Sequence, residues 1–265
     1  MLGAIIGDIS GSRFEWHNHK SKEFEFLNSH CRPTDDSNMT LAVADAILMC
    51  RGDWEALPAE AVRSMQGLGR LYPFGYGSGF RRWLNTPNPQ PYGSWGNGAA
   101  MRVSPCAWAA KSMKEALWLS DAVTAVSHDH PEGLKGARAV TAAIYLALRC
   151  ADKAEIRAHI VQNYYVLDFT LDAIRPYYNF DVSCQGSVPQ AIEAFLEADG
   201  YEDTVRNAIS LGGDSDTIAA IAGSIAEAYY GIPLDLREQA LKYLDETQTG
   251  IIAAFEQKYG RRDSE

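Results

Sequence analysis

Residues 217–230 constrain the fold more than any other part of this sequence. Ile218, Ile221, Ile225 and Ala228 recur at helical spacing, and alanines occupy most of the neighbouring positions. A helix that is apolar nearly all round is stable in water only where other elements surround it. The sequence therefore predicts a helix that lies at the centre of the molecule.

Helical spacing also dominates much of the remaining sequence. The other segments with apolar or small residues every three or four positions are 37–50, 113–127, 134–150, 188–197, 202–210 and 234–244. Alternating runs typical of strands are scarce, and nothing indicates repeated strand-helix-strand units. We predict an all-α fold, a single compact orthogonal bundle of many helices that forms one domain over residues 1–265.

Residues 72–97 differ in composition from the helical segments. They are rich in Gly, Pro, Tyr, Trp and Asn, which predicts a long irregular segment. Long loops in domains of this size are often functional, although a solvated connector fits the same composition.

Composition and charge narrow the function classes. The chain has 265 residues, of which 46% are hydrophobic, so it can bury a substantial core. Its 34 acidic residues exceed its 24 Lys and Arg, and the net charge of −10 argues against nucleic acid or anionic lipid as partners. No run reaches the roughly 18 apolar residues of a membrane helix. The five cysteines form no CxxC pair. We expect a cytoplasmic monomer that has no membrane partner.

Two acidic clusters stand where predicted helices begin. Thr34, Asp35 and Asp36 precede one helix, and a second cluster at 212–217 contains Asp214, Asp216 and Thr217. Helix capping alone explains either cluster, because Asp and Thr accept hydrogen bonds from free N–H groups. Together, however, four carboxylates and two hydroxyls are the hard oxygen donors that Mg²⁺, Mn²⁺ or Ca²⁺ prefer. The metal interpretation predicts that the two helix starts meet at a metal-centred cleft.

Five motifs, taken in order, resemble the ADP-ribosylglycohydrolase family. They are Gly7-Asp8-Ile9-Ser10-Gly11-Ser12-Arg13-Phe14-Glu15, Thr34-Asp35-Asp36, Ser94-Trp95-Gly96-Asn97-Gly98-Ala99-Ala100-Met101-Arg102, His128 with Pro131, and Gly212-Gly213-Asp214-Ser215-Asp216-Thr217. Each motif alone is moderately specific, but the ordered set spans nearly the whole chain. The family includes the dinitrogenase-reductase activating glycohydrolases and eukaryotic hydrolases that act on ADP-ribosylated arginine and serine.

The resemblance implies a Mg²⁺-dependent hydrolase that cleaves the glycosidic bond between ADP-ribose and an acceptor, either a protein side chain or a small molecule. It assigns two Mg²⁺ ions, for which Mn²⁺ could substitute, to Thr34, Asp35, Asp36, Asp214, Asp216 and Thr217. The ions would bind the distal ribose, so Asp35 and Asp36 are also assigned to catalysis. Glu15 matches an acidic residue near the metal site of some members and is expected to be a gate or general base. A helix-end carboxylate exposed to solvent is the alternative for Glu15. Asp8 is expected to orient a metal ligand.

The same resemblance assigns a substrate-binding stretch. Its members are Ser94, Trp95, Gly96, Asn97, Gly98 and His128. Glycine N–H groups would reach phosphate oxygens, Asn97 offers a donor and an acceptor, and Trp95 offers a flat face for stacking. A tight turn with a buried Trp95, and a capping role for His128, are the structural alternatives. Arg102 is expected at the surface.

Two other functions compete with a glycohydrolase. Asp214-Ser215-Asp216-Thr217 superficially resembles the nucleophile motif of haloacid dehalogenase phosphatases, although its Thr comes one position early and no hydrophobic strand precedes it. A non-catalytic ADP-ribose sensor would keep the pocket and lose the chemistry. The motifs describe the ADP-ribose half of a substrate, so the acceptor stays open among arginine, serine, O-acetyl-ADP-ribose and a nucleic acid end.

Overall fold

Helices form the framework of the computed structural model, which describes residues 1–260. The fourteen α-helices within these residues are α1 (Leu2–Gly11), α2 (Asp35–Cys50), α3 (Leu57–Leu71), α4 (Ser78–Asn85), α5 (Ser104–Ala109), α6 (Met113–Thr124), α7 (Pro131–Leu148), α8 (Lys153–Asn163), α9 (Leu171–Ile174), α10 (Cys184–Leu196), α11 (Tyr201–Ser210), α12 (Ser215–Tyr230), α13 (Leu234–Leu241) and α14 (Glu246–Tyr259). Two short 3-10 helices cover Trp54–Ala56 and Asn97–Ala99. Extended pairing over residues 1–260 is limited to one antiparallel bridge between Gly96 and Ser183. The predicted all-α class is confirmed.

The centre of the molecule is α12. This helix packs against α1, α2, α5, α7, α10 and α11, and every residue from 215 to 228 is buried. The surrounding helices provide the apolar environment that its sequence requires. The prediction of a central helix at 217–230 is confirmed, and the acidic start of this helix is consequently held in the interior.

Glycines let α1 approach α12 until their backbones touch. Gly3, Gly7 and Gly11 recur every four residues and so lie on one face of α1. A Cβ on Gly7 would lie 2.1 Å from the carbonyl oxygen of Ala219, and one on Gly11 would lie 2.6 Å from the Cα of Asp216. Because only a residue without a side chain fits at these contacts, the pattern fixes where α1 meets the start of α12.

The seven helical segments predicted from the sequence all lie on helices, with ends that differ by a few residues. The prediction of a wholly irregular segment at 72–97 is wrong, because α4 occupies Ser78–Asn85 inside it. That helix buries Phe80, Trp83 and Leu84 against the rest of the molecule. Within residues 1–260, no helix combines the length and the apolarity needed to cross a bilayer.

Candidate active site and metal centre

The two acidic helix starts meet in the interior. Thr217 in the first turn of α12 donates a hydrogen bond from its Oγ1 to Oδ2 of Asp36 in α2, over 3.1 Å. Asp36, Asp214, Asp216 and Thr217 are all buried. The prediction that these distant stretches fold together is confirmed.

The carboxylates at this junction form two groups. Oxygens of Asp8, Asp36 and Asp216 lie within 4.8 Å of one another, and so do oxygens of Glu15, Asp214 and Asp216. Asp216 belongs to both groups, so the two sets of donors adjoin through one side chain. Three oxygen donors at this separation can ligate one hard divalent cation, and two such sets can ligate a pair.

These carboxylates gather negative charge at the junction. None of these carboxylates forms a salt bridge within residues 1–260, and Oδ1 of Asp36 has no hydrogen-bond partner there. Burial, followed by neighbouring carboxylates, raises the pKa of Asp36 and Asp216 well above the ordinary value. The same causes raise the pKa of Asp35 and Glu15 to about 7. Bound cations would neutralise this charge, so the donor set fits a metal site.

Asp8 organises the start of α2. Its Oδ1 accepts from Thr34 Oγ1 at 2.7 Å, and its Oδ2 accepts from the backbone N–H of Thr34 at 2.8 Å and of Ser37 at 3.0 Å. The Ser37 hydroxyl also donates to Asp8. Because its two oxygens are already engaged, the geometry favours the predicted orienting function of Asp8.

Asp214 is held from two sides. Asn97 Nδ2 donates to Asp214 Oδ2 at 2.6 Å and also contacts Ser187 Oγ at 3.1 Å. Before Asp214, Gly212 and Gly213 have φ values of 67° and 72°, a conformation that favours glycine. The segment before Asp214 is the helix α11 rather than a strand, so the local structure required by the phosphatase interpretation is missing.

A cleft of about 360 Å³ opens onto the carboxylates. Predicted site residues that line it are Glu15, Asp35, Asp36, Ser94, Gly96, Asn97, Gly98, His128, Asp214, Asp216 and Thr217. Thr34 instead lines an adjoining cavity. Trp95 is not buried, since 51% of its surface is exposed and its ring packs edge-on against His130. Asp35 belongs to neither carboxylate group and packs against Gly75, where a Cβ would lie 2.3 Å from Asp35 Oδ1.

The sequence analysis missed several residues of the cleft. Trp16 and Phe180 stack at its rim with ring centroids 5.2 Å apart, and Phe80 and Tyr92 line its wall. The expectation that Arg102 lies at the surface is wrong, because Arg102 is fully buried and lines the cleft. Periodicity could not reveal this position, since a single sequence does not distinguish a buried arginine from an exposed one.

Comparisons with known proteins agree with this geometry. A family model described as ADP-ribosylglycohydrolase matches residues 1–263. ADP-ribosylhydrolase ARH3 of Mus musculus is 26% identical over 310 residues, which cover 88% of this chain and 83% of that protein. ADP-ribosylarginine hydrolase Tri1 of Pseudomonas putida (strain GB-1) is 26% identical over 264 residues, which cover 88% of this chain and 70% of that protein.

A solved structure described as an ADP-ribosylglycohydrolase-related protein complex shares the fold. Its TM-score is 0.69 at 22% sequence identity, over 98% of this chain and 96% of that one. The match to the family model extends over nearly every residue. The chain therefore belongs to the ADP-ribosylglycohydrolase family of hydrolases.

Proposed function

We propose that this protein is a Mg²⁺-dependent ADP-ribosyl glycohydrolase, which hydrolyses the glycosidic bond between ADP-ribose and an acceptor and thereby reverses ADP-ribosylation. The observation that carries the proposal is the pair of carboxylate groups that share the buried Asp216, whose members other than Asp8 line the cleft. The ARH3 and Tri1 relatives are named for hydrolysis of ADP-ribose linkages, which supports the same reaction here.

The metal site is proposed to hold two Mg²⁺ ions, with Mn²⁺ as a possible substitute. The proposed ligands are Thr34, Asp35, Asp36, Asp214, Asp216 and Thr217. Carboxylate and hydroxyl oxygens are the donors that these hard cations prefer, and the site offers no His or Cys in either carboxylate group. Bound ions would supply positive charge for binding ribose hydroxyls and for polarising the sugar at its anomeric carbon.

The residues of the cleft wall are proposed to bind the rest of ADP-ribose. The cleft is lined by Ser94, Gly96, Asn97, Gly98 and His128 together with the carboxylates, and its volume of about 360 Å³ suits a ligand of nucleotide size. Asn97 also connects this wall to Asp214 through its hydrogen bond. Trp95 does not line the cleft; it is proposed to contact a part of the substrate that extends beyond the cleft, because its ring remains half exposed.

Glu15 is proposed to be the gate or general base of hydrolysis. It follows the end of α1, where the chain turns, and it lines the cleft beside Asp214 and Asp216. A carboxylate in this position can hold a water molecule and accept its proton while Asp35 and Asp36 fix the sugar. Arg32 lies close enough to oppose part of the rise in the pKa of Glu15.

The proposed substrates are ADP-ribosylated protein side chains or small ADP-ribose conjugates. We further propose that residues 1–265 form one domain that acts as a cytoplasmic monomer. Most of the buried apolar side chains of the described residues belong to one connected core, which supports a single domain.

The test is turnover of purified protein with arginine-linked, serine-linked and O-acetyl ADP-ribose. We expect release of ADP-ribose from at least one substrate in Mg²⁺ and none after chelation. Asp216→Asn should lower the rate by more than about 100-fold. Asp45→Asn is the control, because Asp45 lies on α2 outside both carboxylate groups, and within residues 1–260 its side chain bonds only to Ser64 Oγ, at 2.6 Å. Tight binding of ADP-ribose without cleavage of any conjugate would instead identify a sensor.

A further inference from the structure

Arg102 is a buried cation to which the proposed function assigns no role. Among residues 1–260 it is one of the largest fully buried side chains, and it forms no salt bridge there. Its Nη2 donates to the carbonyl oxygen of Val123 at 3.3 Å and to Ser127 Oγ at 2.7 Å, and its Nε has no partner. A buried guanidinium without a carboxylate partner lowers the stability of the folded protein. Its short hydrogen bond to Ser127 therefore points to a function for Arg102 other than stability.

Arg102, Ser127 and His128 form a short hydrogen-bonded relay, and the donors and acceptors of Ser127 fix the direction of its hydrogen bonds. Arginine donates and cannot accept, so Ser127 Oγ must accept from Arg102. The same oxygen lies 2.8 Å from Nδ1 of His128, and within residues 1–260 the serine hydroxyl has no other acceptor. The hydroxyl proton of Ser127 therefore points at Nδ1, which must accept it. The proton of a neutral His128 ring is consequently left on Nε2.

Other protonation states of His128 fit this environment poorly. A proton on Nδ1 would leave the buried hydroxyl of Ser127 with no acceptor, which costs the free energy of desolvating that group. A protonated ring would place a second buried cation beside Arg102. Burial, followed by the charge of Arg102, holds the pKa of His128 well below its usual value.

The free nitrogen of His128 faces the cleft. Its ring is held between Phe80 and Tyr92, with centroid distances of 5.9 Å and 5.7 Å. A Cβ on Gly98 would lie 3.3 Å from Nε2, and one on Gly96 would lie 3.8 Å from it. Nε2 has no hydrogen-bond partner in the described part of the chain, so its donor is available to a ligand.

We infer that Arg102 and Ser127 are positioning residues that lock His128 in its neutral Nε2–H form and aim this donor at an oxygen of the bound ligand. The identity of the ligand as ADP-ribose rests on the proposed function. The oxygen would be a phosphate or ribose oxygen, since both accept a hydrogen bond from a neutral imidazole. Arg102 and Ser127 thus act on the ligand through His128.

The direct test is the tautomer of His128 in the intact protein. Protein labelled with ¹⁵N at its six histidines would be studied by long-range ¹H–¹⁵N correlation, with His128→Asn used for assignment. We expect the Nε2–H form of His128 throughout about pH 5 to 8. An Nδ1–H form, or a ring that becomes protonated in this range, would overturn the inference.

Substitutions at Ser127 test whether the relay affects the affinity for ADP-ribose. Ser127→Ala should give a mixture of tautomers and weaken ADP-ribose binding by about tenfold, as expected for the loss of one oriented hydrogen bond. Ser127→Thr keeps the hydroxyl and should retain the wild-type tautomer. Ser120→Ala is the matched control, because Ser120 is a fully buried serine whose hydroxyl has no partner in the described structure.

The outcomes separate this inference from the proposed function. If Ser127→Ala keeps both the tautomer and the affinity of the wild type, the relay has no positioning function. If wild-type protein shows the Nε2–H form but binds no ADP-ribose and cleaves no conjugate, the proposed function fails while the tautomer lock stands.

Discussion

Asp216 and Glu15 illustrate two ways in which one residue can serve this site. Asp216 is buried and shared by both carboxylate groups, whereas Glu15 is only partly buried and contributes to one. Loss of Asp216 should therefore affect both proposed ions, and loss of Glu15 should affect the chemistry that takes place beside them.

Glu15→Gln separates a general base from a structural carboxylate. We expect kcat to fall by roughly 10²–10⁴-fold, as for removal of a general base, while the affinity for ADP-ribose stays within about threefold. Steady-state kinetics and calorimetric titration of ADP-ribose would measure the two quantities. Unchanged kcat would show that the Glu15 carboxylate is not needed, and lost Mg²⁺ binding would show that it is chiefly a ligand.

Sequence patterns identified the acidic residues of the site and part of the cleft wall, such as Asn97 and His128, but not the environment of every motif residue. Asp36 and Asp214 stand at helix starts with a family motif around them, and this signal is visible in the sequence. Arg102 ends one motif and Trp16 follows another, yet whether each is buried or exposed depends on helices from elsewhere in the chain. Tertiary packing sets these environments, so residue type alone could not predict them.

Among the helices, the contact between α1 and α12 positions the carboxylates of the site relative to one another. Asp8 on α1 belongs to one of the carboxylate groups, and Gly11 on the same helix lies against the backbone of Asp216. Sequence analysis did not predict α1, because three glycines lower its helix propensity by about 1 kcal/mol each. Close packing against α12 compensates for this propensity.

Gly11→Ala tests that contact. Because the new Cβ would lie 2.6 Å from the Cα of Asp216, the helices must separate, and we expect a loss of about 1–3 kcal/mol in the free energy of unfolding. Metal-induced stabilisation should fall as well. Denaturant unfolding with and without Mg²⁺ would measure both effects.

Gly67→Ala provides the control for this substitution. Gly67 lies inside α3, and a Cβ there would meet nothing within 4 Å. We expect Gly67→Ala to raise stability by about 0.5–1 kcal/mol, in line with helix propensity. Equal effects of the two substitutions would argue against a special contact at Gly11.

For the whole molecule, the carboxylates of the site make the free energy of unfolding depend on pH and on metal binding. The pKa of Glu15 and Asp35 is raised to about 7 in the folded protein, so between about pH 4 and pH 7 the folded state binds more protons than the unfolded chain does. Without metal, the stability due to these protonated groups is present below about pH 4 and lost as the pH rises through about 7.

We therefore expect Mg²⁺ to raise the melting temperature more at pH 8 than at pH 5.5. Deprotonated carboxylates bind the cation more strongly, and a ligand that binds only the folded state stabilises it more as its Kd falls at a given concentration. Calorimetry at both pH values, with Mg²⁺ or with chelator, would check this. An equal or smaller shift at pH 8 would contradict a metal site built from these groups.

The path of the chain through the site has a consequence for its biogenesis. One half of the carboxylate junction is supplied near residue 36 and the other near residue 216, so a nascent chain on the ribosome carries the first half long before the second is made. Until α12 emerges, α1 lacks the surface that its glycines require, and the early acidic residues stay solvated and without a shared cation. Metal loading should thus be a late event, after synthesis has passed α12.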